Sequence, residues 1–147
     1  VAYDEGLREV RFECERRAHI AEDGWLHAPQ KLAEVIRQLE AYFAGERYTF
    51  DVALKPQGTE FQQTVWRALT TIPYAVTTSY GQLSQQIQRP TASRAVGAAN
   101  GRNPIPIIIP CHRVIGSNGT LTGFAGGLAA KQWLLAHEAK CRGFVLS

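Results

Sequence analysis

Cys111 and His112 stand side by side directly after a very apolar run, in Ile105-Pro-Ile-Ile-Ile-Pro-Cys-His-Arg-Val-Ile-Gly116. A thiolate is a soft nucleophile, and imidazole is the side chain whose ordinary pKa suits it to take a proton near neutral pH. In a regular strand neighbouring side chains point to opposite faces, so this pair can cooperate only if the chain turns here. Pro110 makes a turn expected: the pattern predicts a strand over Ile107 to Ile109 that breaks at Pro110 and leaves Cys111 at the mouth of a buried scaffold. Apolar surroundings alone would raise the thiol's pKa and leave it inert, so activity requires a nearby base, which His112 can supply. The same residues also suit a core cysteine beside a surface histidine, and the pair alone does not choose between these readings.

An imidazole base needs its other nitrogen held by an acceptor, most often a carboxylate. Glu138 falls in the final turn of the helical pattern GLAAKQWLLAHEAK, where the helix macrodipole disfavours a negative charge. That placement suggests another task; the alternative is a solvated helix end paired with Lys131, Lys140 or Arg142. Asn103, in GRNPIP, reads as a turn former before Pro104.

The elements that must carry these residues can be read from spacing. Thr59 with Gln62, and Ser79 with Gln82, match the capping box and each opens a helix. The first helix carries Phe61, Val65, Trp66, Leu69 and Ile72 inward. The second, SYGQLSQQI, is short and is followed by another from about Pro90 to Ala99, so the two form a candidate helix-turn-helix. The later helix, PTASRAVGAANG, is rich in Ala and Gly, which lets its backbone approach a narrow groove, and one long cation, Arg94, stands among the small residues. An ordinary solvated arginine over tight helix packing fits those residues as well.

Before Gly58 the pattern is mixed. YDEGLREV reads as two short extended segments around an Asp-Glu-Gly turn. Leu32, Val35, Ile36, Leu39, Tyr42 and Phe43 recur at helical spacing from Lys31 to Ala44, and Gly45 is a natural stop. TFDVALKP alternates like a strand. The expected fold class is therefore α+β: a small mixed domain over residues 1–57, then a mainly helical domain with a helix-turn-helix over residues 58–147.

Composition sets the outer limits. A chain of 147 residues with 45% hydrophobic content can bury a sizeable core. No apolar run approaches the roughly 20 residues of a membrane span, and the first residues lack the pattern of a signal peptide. A cytoplasmic or nuclear location is the expectation, cytoplasmic and at the nucleoid if the source is prokaryotic. The formal charge of +3 and pI near 8.9 suit a polyanionic partner without requiring one. Cys14, Cys111 and Cys141 are too few and scattered for a disulfide framework. Cys14, His19 and His27 lie near one another in sequence but follow no recognised zinc spacing, so no metal site is expected.

Taken together, PCHRVIG after NPIPIII, TSYGQL and SRAVGAAN upstream, and GFAGG and KQWLLAHE downstream resemble the O6-alkylguanine-DNA alkyltransferase family. The match is dense from Gly58 to Glu138 and thinner before it, where LEAYFAGER and a small N-terminal domain with a ribonuclease-H-like sheet fit the family. The resemblance implies that Cys111 accepts the alkyl group, that His112 acts as base through a water, that Glu138 orients His112, and that Asn103 braces the cysteine turn. It implies further that Tyr80 offers its hydroxyl to the purine N3 of a flipped base, that Val114 offers its carbonyl to the exocyclic amine, and that Lys131 lies near the pocket. Phe124 and Ala125 stand where some members have Tyr and Ser, leaving the Ala125 amide to serve the guanine O6. Arg94 would fill the space left in the duplex, and the helix of Ala95, Ala98 and Ala99 would enter the minor groove. The implied partner is double-stranded DNA carrying O6-alkylguanine, with O4-alkylthymine as a second lesion, bound by a monomer without metal or organic cofactor.

Other functions fit parts of the same sequence. A non-catalytic lesion-binding relative would lack the cysteine. A plain helix-turn-helix regulator would leave Cys111, His112 and Glu138 idle. A cysteine hydrolase would need neither the Ala-rich helix nor Arg94.

Overall fold

A computed structural model describes residues 2–3, 6–10, 29–116, 118–119, 124 and 127–146; Cys14, His19, His27 and Ala125 lie outside them. Near the N-terminus β1 (Ala2–Tyr3) pairs antiparallel with β2 (Leu7–Glu9), as the turn signal predicts. The expected strand TFDVALKP is reduced to a single bridge, Leu7 to Leu54. Its backbone is satisfied otherwise: the Leu7 amide donates to the Ala53 carbonyl at 2.6 Å and the Lys55 amide to the Leu7 carbonyl at 2.7 Å. The Asp51 amide donates to Gln38 Oε1 at 2.9 Å, and Gln38 Nε2 donates back to the Asp51 carbonyl at 3.0 Å. A buried side chain thus replaces a strand partner.

Helix α1 (Pro29–Phe43) turns Val35, Gln38, Leu39 and Tyr42 inward, the spacing of one helical face. Ile36 and Phe43, expected inside, are 45% and 43% exposed, because a stripe that narrow excludes them. Gly45 ends the helix at φ +78°, a conformation glycine adopts without a Cβ clash.

Both capping boxes form. Thr59 opens α2 (Glu60–Leu69) and Ser79 opens α3 (Tyr80–Gln86), with the Gln side chain three residues on returning to the cap backbone in each case. Gly58 is required before α2, since a Cβ there would collide with the Trp66 ring. Helix α4 (Ser93–Gly101) begins three residues later than Pro90, because residues 89–92 close a turn through the Ala92 amide to the Arg89 carbonyl at 3.0 Å. Trp66 Nε1 donates to the Ala99 carbonyl at 2.9 Å and locks α2 to α4.

The Ile run is not a strand. The Ile108 amide donates to the Pro106 carbonyl at 2.9 Å across Ile107, whose φ is +75°. The Cys111 amide donates to the Ile109 carbonyl at 2.8 Å across Pro110, so the chain makes two successive γ-turns. Burial of the Ile side chains holds this course, which a β-branched residue at positive φ would otherwise resist. A 3-10 turn, Cys111–Arg113, follows; β4 (Val114–Ile115) then pairs parallel with β3 (Thr78–Ser79), placing the start of α3 beside the exit of the cysteine turn.

Helix α5 (Leu128–Leu146) runs past Lys140, so Glu138 lies in its interior rather than its last turn. The expected dipole penalty therefore does not apply; Gly143, the poorest helix former in that extension, does not stop the helix. None of the described helices is long and apolar enough to cross a membrane.

Candidate active site

The site is built on the 3-10 turn. Cys111, His112 and Arg113 are all buried. At three residues per turn their side chains diverge, and among the described residues no direct hydrogen bond joins the Cys111 thiol to His112. Asn103 braces the turn from beneath: its Nδ2 donates to the Ile109 carbonyl at 2.8 Å, and its Oδ1 accepts the Ile105 amide at 2.9 Å. Asn100 Nδ2, from α4, reaches the Cys111 carbonyl at 3.4 Å.

Burial pushes the Cys111 thiol up to about 11, against a hydrogen bond from Asn103 and the charge of Lys131. The resting thiol is therefore protonated at neutral pH, and reaction needs a base. His112 Nε2 lies 2.6 Å from Glu138 Oε2. A carboxylate accepts, so Nε2 carries the proton and Nδ1 is left as the acceptor. Nδ1 is buried and has no hydrogen-bond partner among the described residues. Burial drives the His112 pKa below its ordinary value, outweighing the opposing pull of Glu138, so the ring is neutral and able to take a proton.

Glu138 collects donors from three parts of the chain, His112 and Arg113 sharing the 3-10 turn. Arg113 Nε donates to Oε1 at 2.8 Å and Arg113 Nη2 to Oε2 at 3.0 Å. The Ala75 amide donates to Oε1 at 3.0 Å, and the Tyr42 hydroxyl donates to Oε2 at 2.6 Å. Burial alone would raise this carboxyl; the hydrogen bonds and charges of His112 and Arg113 overcome it and hold it well below the usual carboxylate range. The third arm of Arg113, Nη1, donates to the Ile72 carbonyl at 2.7 Å, and its guanidinium lies over the Tyr74 ring.

Lys131 is fully buried and its Nζ donates to the Val114 carbonyl at 2.6 Å, one residue beyond the 3-10 turn. Phe124 is buried near the core, and Tyr80, half-buried, packs its ring near Gly97 of α4. On α4, Arg94, Ala95 and Ala98 are exposed together. Ala99 is not part of that surface: it is 3% exposed and turned toward the core, so its small side chain serves helix packing, not a groove contact. A cavity of about 240 Å³ lined by Tyr48, Phe50, Ile72, Tyr74, Pro110 and Arg113, among others, lies behind this network and does not open on Cys111.

Sequence reasoning missed Arg113, Tyr42, Asn100 and Ala75. An arginine directly after the Cys-His pair and an asparagine inside a helix were the only local signals.

Residues 60–140 match the family model described as 6-O-methylguanine DNA methyltransferase, DNA binding domain, and residues 1–56 match that of its ribonuclease-like domain. A methylated-DNA–protein-cysteine methyltransferase of Methanosarcina acetivorans is 54% identical over 138 residues, 94% of this chain and 88% of the relative. The chain belongs to the O6-methylguanine DNA methyltransferase family. Among solved structures, the O6-methylguanine methyltransferase of Mycobacterium tuberculosis superposes with a TM-score of 0.81 at 50% identity, covering 90% of this chain and 80% of that one. The Mycobacterium tuberculosis protein OGT in complex with DNA gives a TM-score of 0.77 at 54% identity, over 81% of this chain and 74% of the other. Membership in this family puts Cys111 and the Glu138 network in a setting of DNA methyl transfer.

Proposed function

We propose that this chain repairs O6-alkylguanine in double-stranded DNA by moving the alkyl group to its own Cys111, once per molecule. The observation that carries the reading is a buried thiol followed by a neutral histidine whose ring is held on a buried carboxylate, in a chain of this family.

The chemistry is a displacement at the alkyl carbon. The Cys111 proton passes to His112 Nδ1 through a water, sulfur bonds to the alkyl carbon, and the bond from that carbon to guanine O6 breaks. The Glu138 carboxylate stabilises the imidazolium that forms, as a buried acceptor does in other base-assisted nucleophiles. Asn103 fixes the turn that aims the sulfur. Negative charge develops on the departing guanine and is met by preorganised donors, with the Tyr80 hydroxyl assigned to the purine N3 and the Ala125 amide to O6. The Val114 carbonyl, Phe124 and Lys131 line the base side. The product is a thioether that water does not readily cleave, so each molecule acts once.

Because the target atom is stacked inside the duplex, the nucleotide must rotate out, at a cost of a few kcal/mol that is least for a badly paired base. The exposed face of Arg94, Ala95 and Ala98 suits this: small residues let α4 close on the minor groove, and Arg94 occupies the vacated space. The same reading includes a monomer, O4-alkylthymine as a second lesion, a cytoplasmic location, and division at Gly58 into an N-terminal unit with a ribonuclease-H-like sheet and a C-terminal unit. The test is transfer from an oligonucleotide bearing a radiolabelled O6-methyl group. Label should move to protein with the wild type and stay in DNA with Cys111→Ser; release of label as methanol would identify a hydrolase instead.

A further inference from the structure

Tyr42 reaches the Glu138 carboxylate from the opposite half of the chain. It lies in the last turn of α1 with its side chain fully buried. Its ring stands edge-on to Tyr74, with centroids 6.1 Å apart, and to His137, at 5.5 Å. Its carbonyl, which also accepts the Gly45 amide at 3.0 Å, lies 2.9 Å from His137 Nε2. Ring and backbone are thus both held by the residue that precedes Glu138 on α5. The hydroxyl donates to Glu138 Oε2 at 2.6 Å, the same oxygen that His112 Nε2 meets at 2.6 Å. Burial, reinforced by the carboxylate's charge, pushes the Tyr42 hydroxyl above its ordinary range, so it remains a donor.

We infer that Tyr42 is a positioning residue for alkyl transfer: by sharing Glu138 Oε2 with His112, it limits how strongly the carboxylate holds the imidazole and thereby sets the pH at which His112 becomes a neutral base. The inference rests on the alkyl-transfer reading. An acceptor oxygen already occupied by one strong donor is a weaker acceptor for a second, and hydrogen bonds to a charged group are stronger than those between neutral groups. Without the hydroxyl, the Glu138–His112 bond tightens and the charged ring is favoured. The other groups facing this pair stay in place in a Tyr42→Phe protein: Arg113 and the Ala75 amide on Glu138, Arg113 and Lys131 around His112, and Tyr74 and Cys141 beyond Tyr42. Oε2 keeps two donors, His112 and Arg113 Nη2, and the ring packing is unchanged.

The experiment compares wild type and Tyr42→Phe in two readouts: methyl-transfer rate from an O6-methylguanine oligonucleotide against pH, and titration of the His112 ring by carbon-13 NMR. The acid limb of the rate profile should move to higher pH by about half to one pH unit, a loss of about 3- to 10-fold below the limb, with the plateau retained. The His112 resonance should move by the same amount. Superimposable titrations, or a rate loss equal at every pH, would overturn the inference. A wild type that transfers no methyl group defeats the underlying reading instead, and the His112 titration keeps the two failures apart. A further measurement needs no variant: wild-type protein should show a slowly exchanging Tyr42 hydroxyl proton with an Overhauser contact to the His112 Nε2 proton, and its absence would overturn the shared oxygen.

Discussion

Arg113 grips Glu138 side-on, with Nε on Oε1 at 2.8 Å and Nη2 on Oε2 at 3.0 Å, inside the core. The two residues are neighbours only through the fold, one on the 3-10 turn and the other on α5. Lysine carries the charge but not the planar fork, so Arg113→Lys leaves part of the carboxylate unpaired. Breaking a buried pair from one side typically costs about 3 to 5 kcal/mol. The variant is expected to melt well below the wild type; an unchanged melting temperature would mean that the pair contributes no stability.

The same network makes the fold sensitive to acid. The folded His112 pKa lies below its ordinary 6.5, so the unfolded chain takes up that proton first, and stability declines as pH falls through and below about 6.5. The folded Glu138 pKa lies below its ordinary 4.5, so its contribution is present above that pH and is lost as pH drops further. Melting curves from pH 7 to pH 3 should fall throughout, and Glu138→Gln should flatten the lower part. A melting temperature independent of pH across that range would refute the assignment.

Much of this arrangement was visible in the sequence where the cause is local. The capping boxes at Thr59 and Ser79 formed because a side chain three residues from its cap needs no tertiary help. The Cys-His pair was legible because the two are adjacent. The Ile run misled: its strand propensity was overridden by burial, and nothing local announces Ile107 at φ +75°. Tyr42 read as one more apolar position on α1, since its partner lies 96 residues away. Glu138 drew attention for a reason the structure removes, because α5 continues past it.

Arg94 should separate flipping from chemistry. It is exposed on α4, away from the Glu138 network. Arg94→Ala is expected to slow repair of duplex DNA far more than reaction with a free O6-alkylguanine base, because only the duplex has a gap to fill. Binding of either protein should weaken as salt is added, through counterion release. Equal loss on duplex and free base would place Arg94 in the fold or pocket.

Alkylation should strain the protein that performs it. Cys111 is 2% exposed and belongs to the same buried cluster as Ile107 and Ile109, next to the Asn103 brace, so an added alkyl group overfills the site. Overpacking typically costs about 1 to 3 kcal/mol. Methylated protein should melt lower and be digested faster than unmodified protein, both without DNA; an unchanged or raised melting temperature would show that the pocket accommodates the product without strain.

The central claim is that Cys111 itself receives the alkyl group, once. Intact-mass analysis of the full chain after incubation with excess O6-methylguanine duplex, followed by peptide mapping, measures this directly. The account predicts a single added methyl group per chain, located on Cys111, with guanine restored in an equal amount of DNA. More guanine restored than protein present, or a methyl group on Cys14 or Cys141 instead, would contradict it.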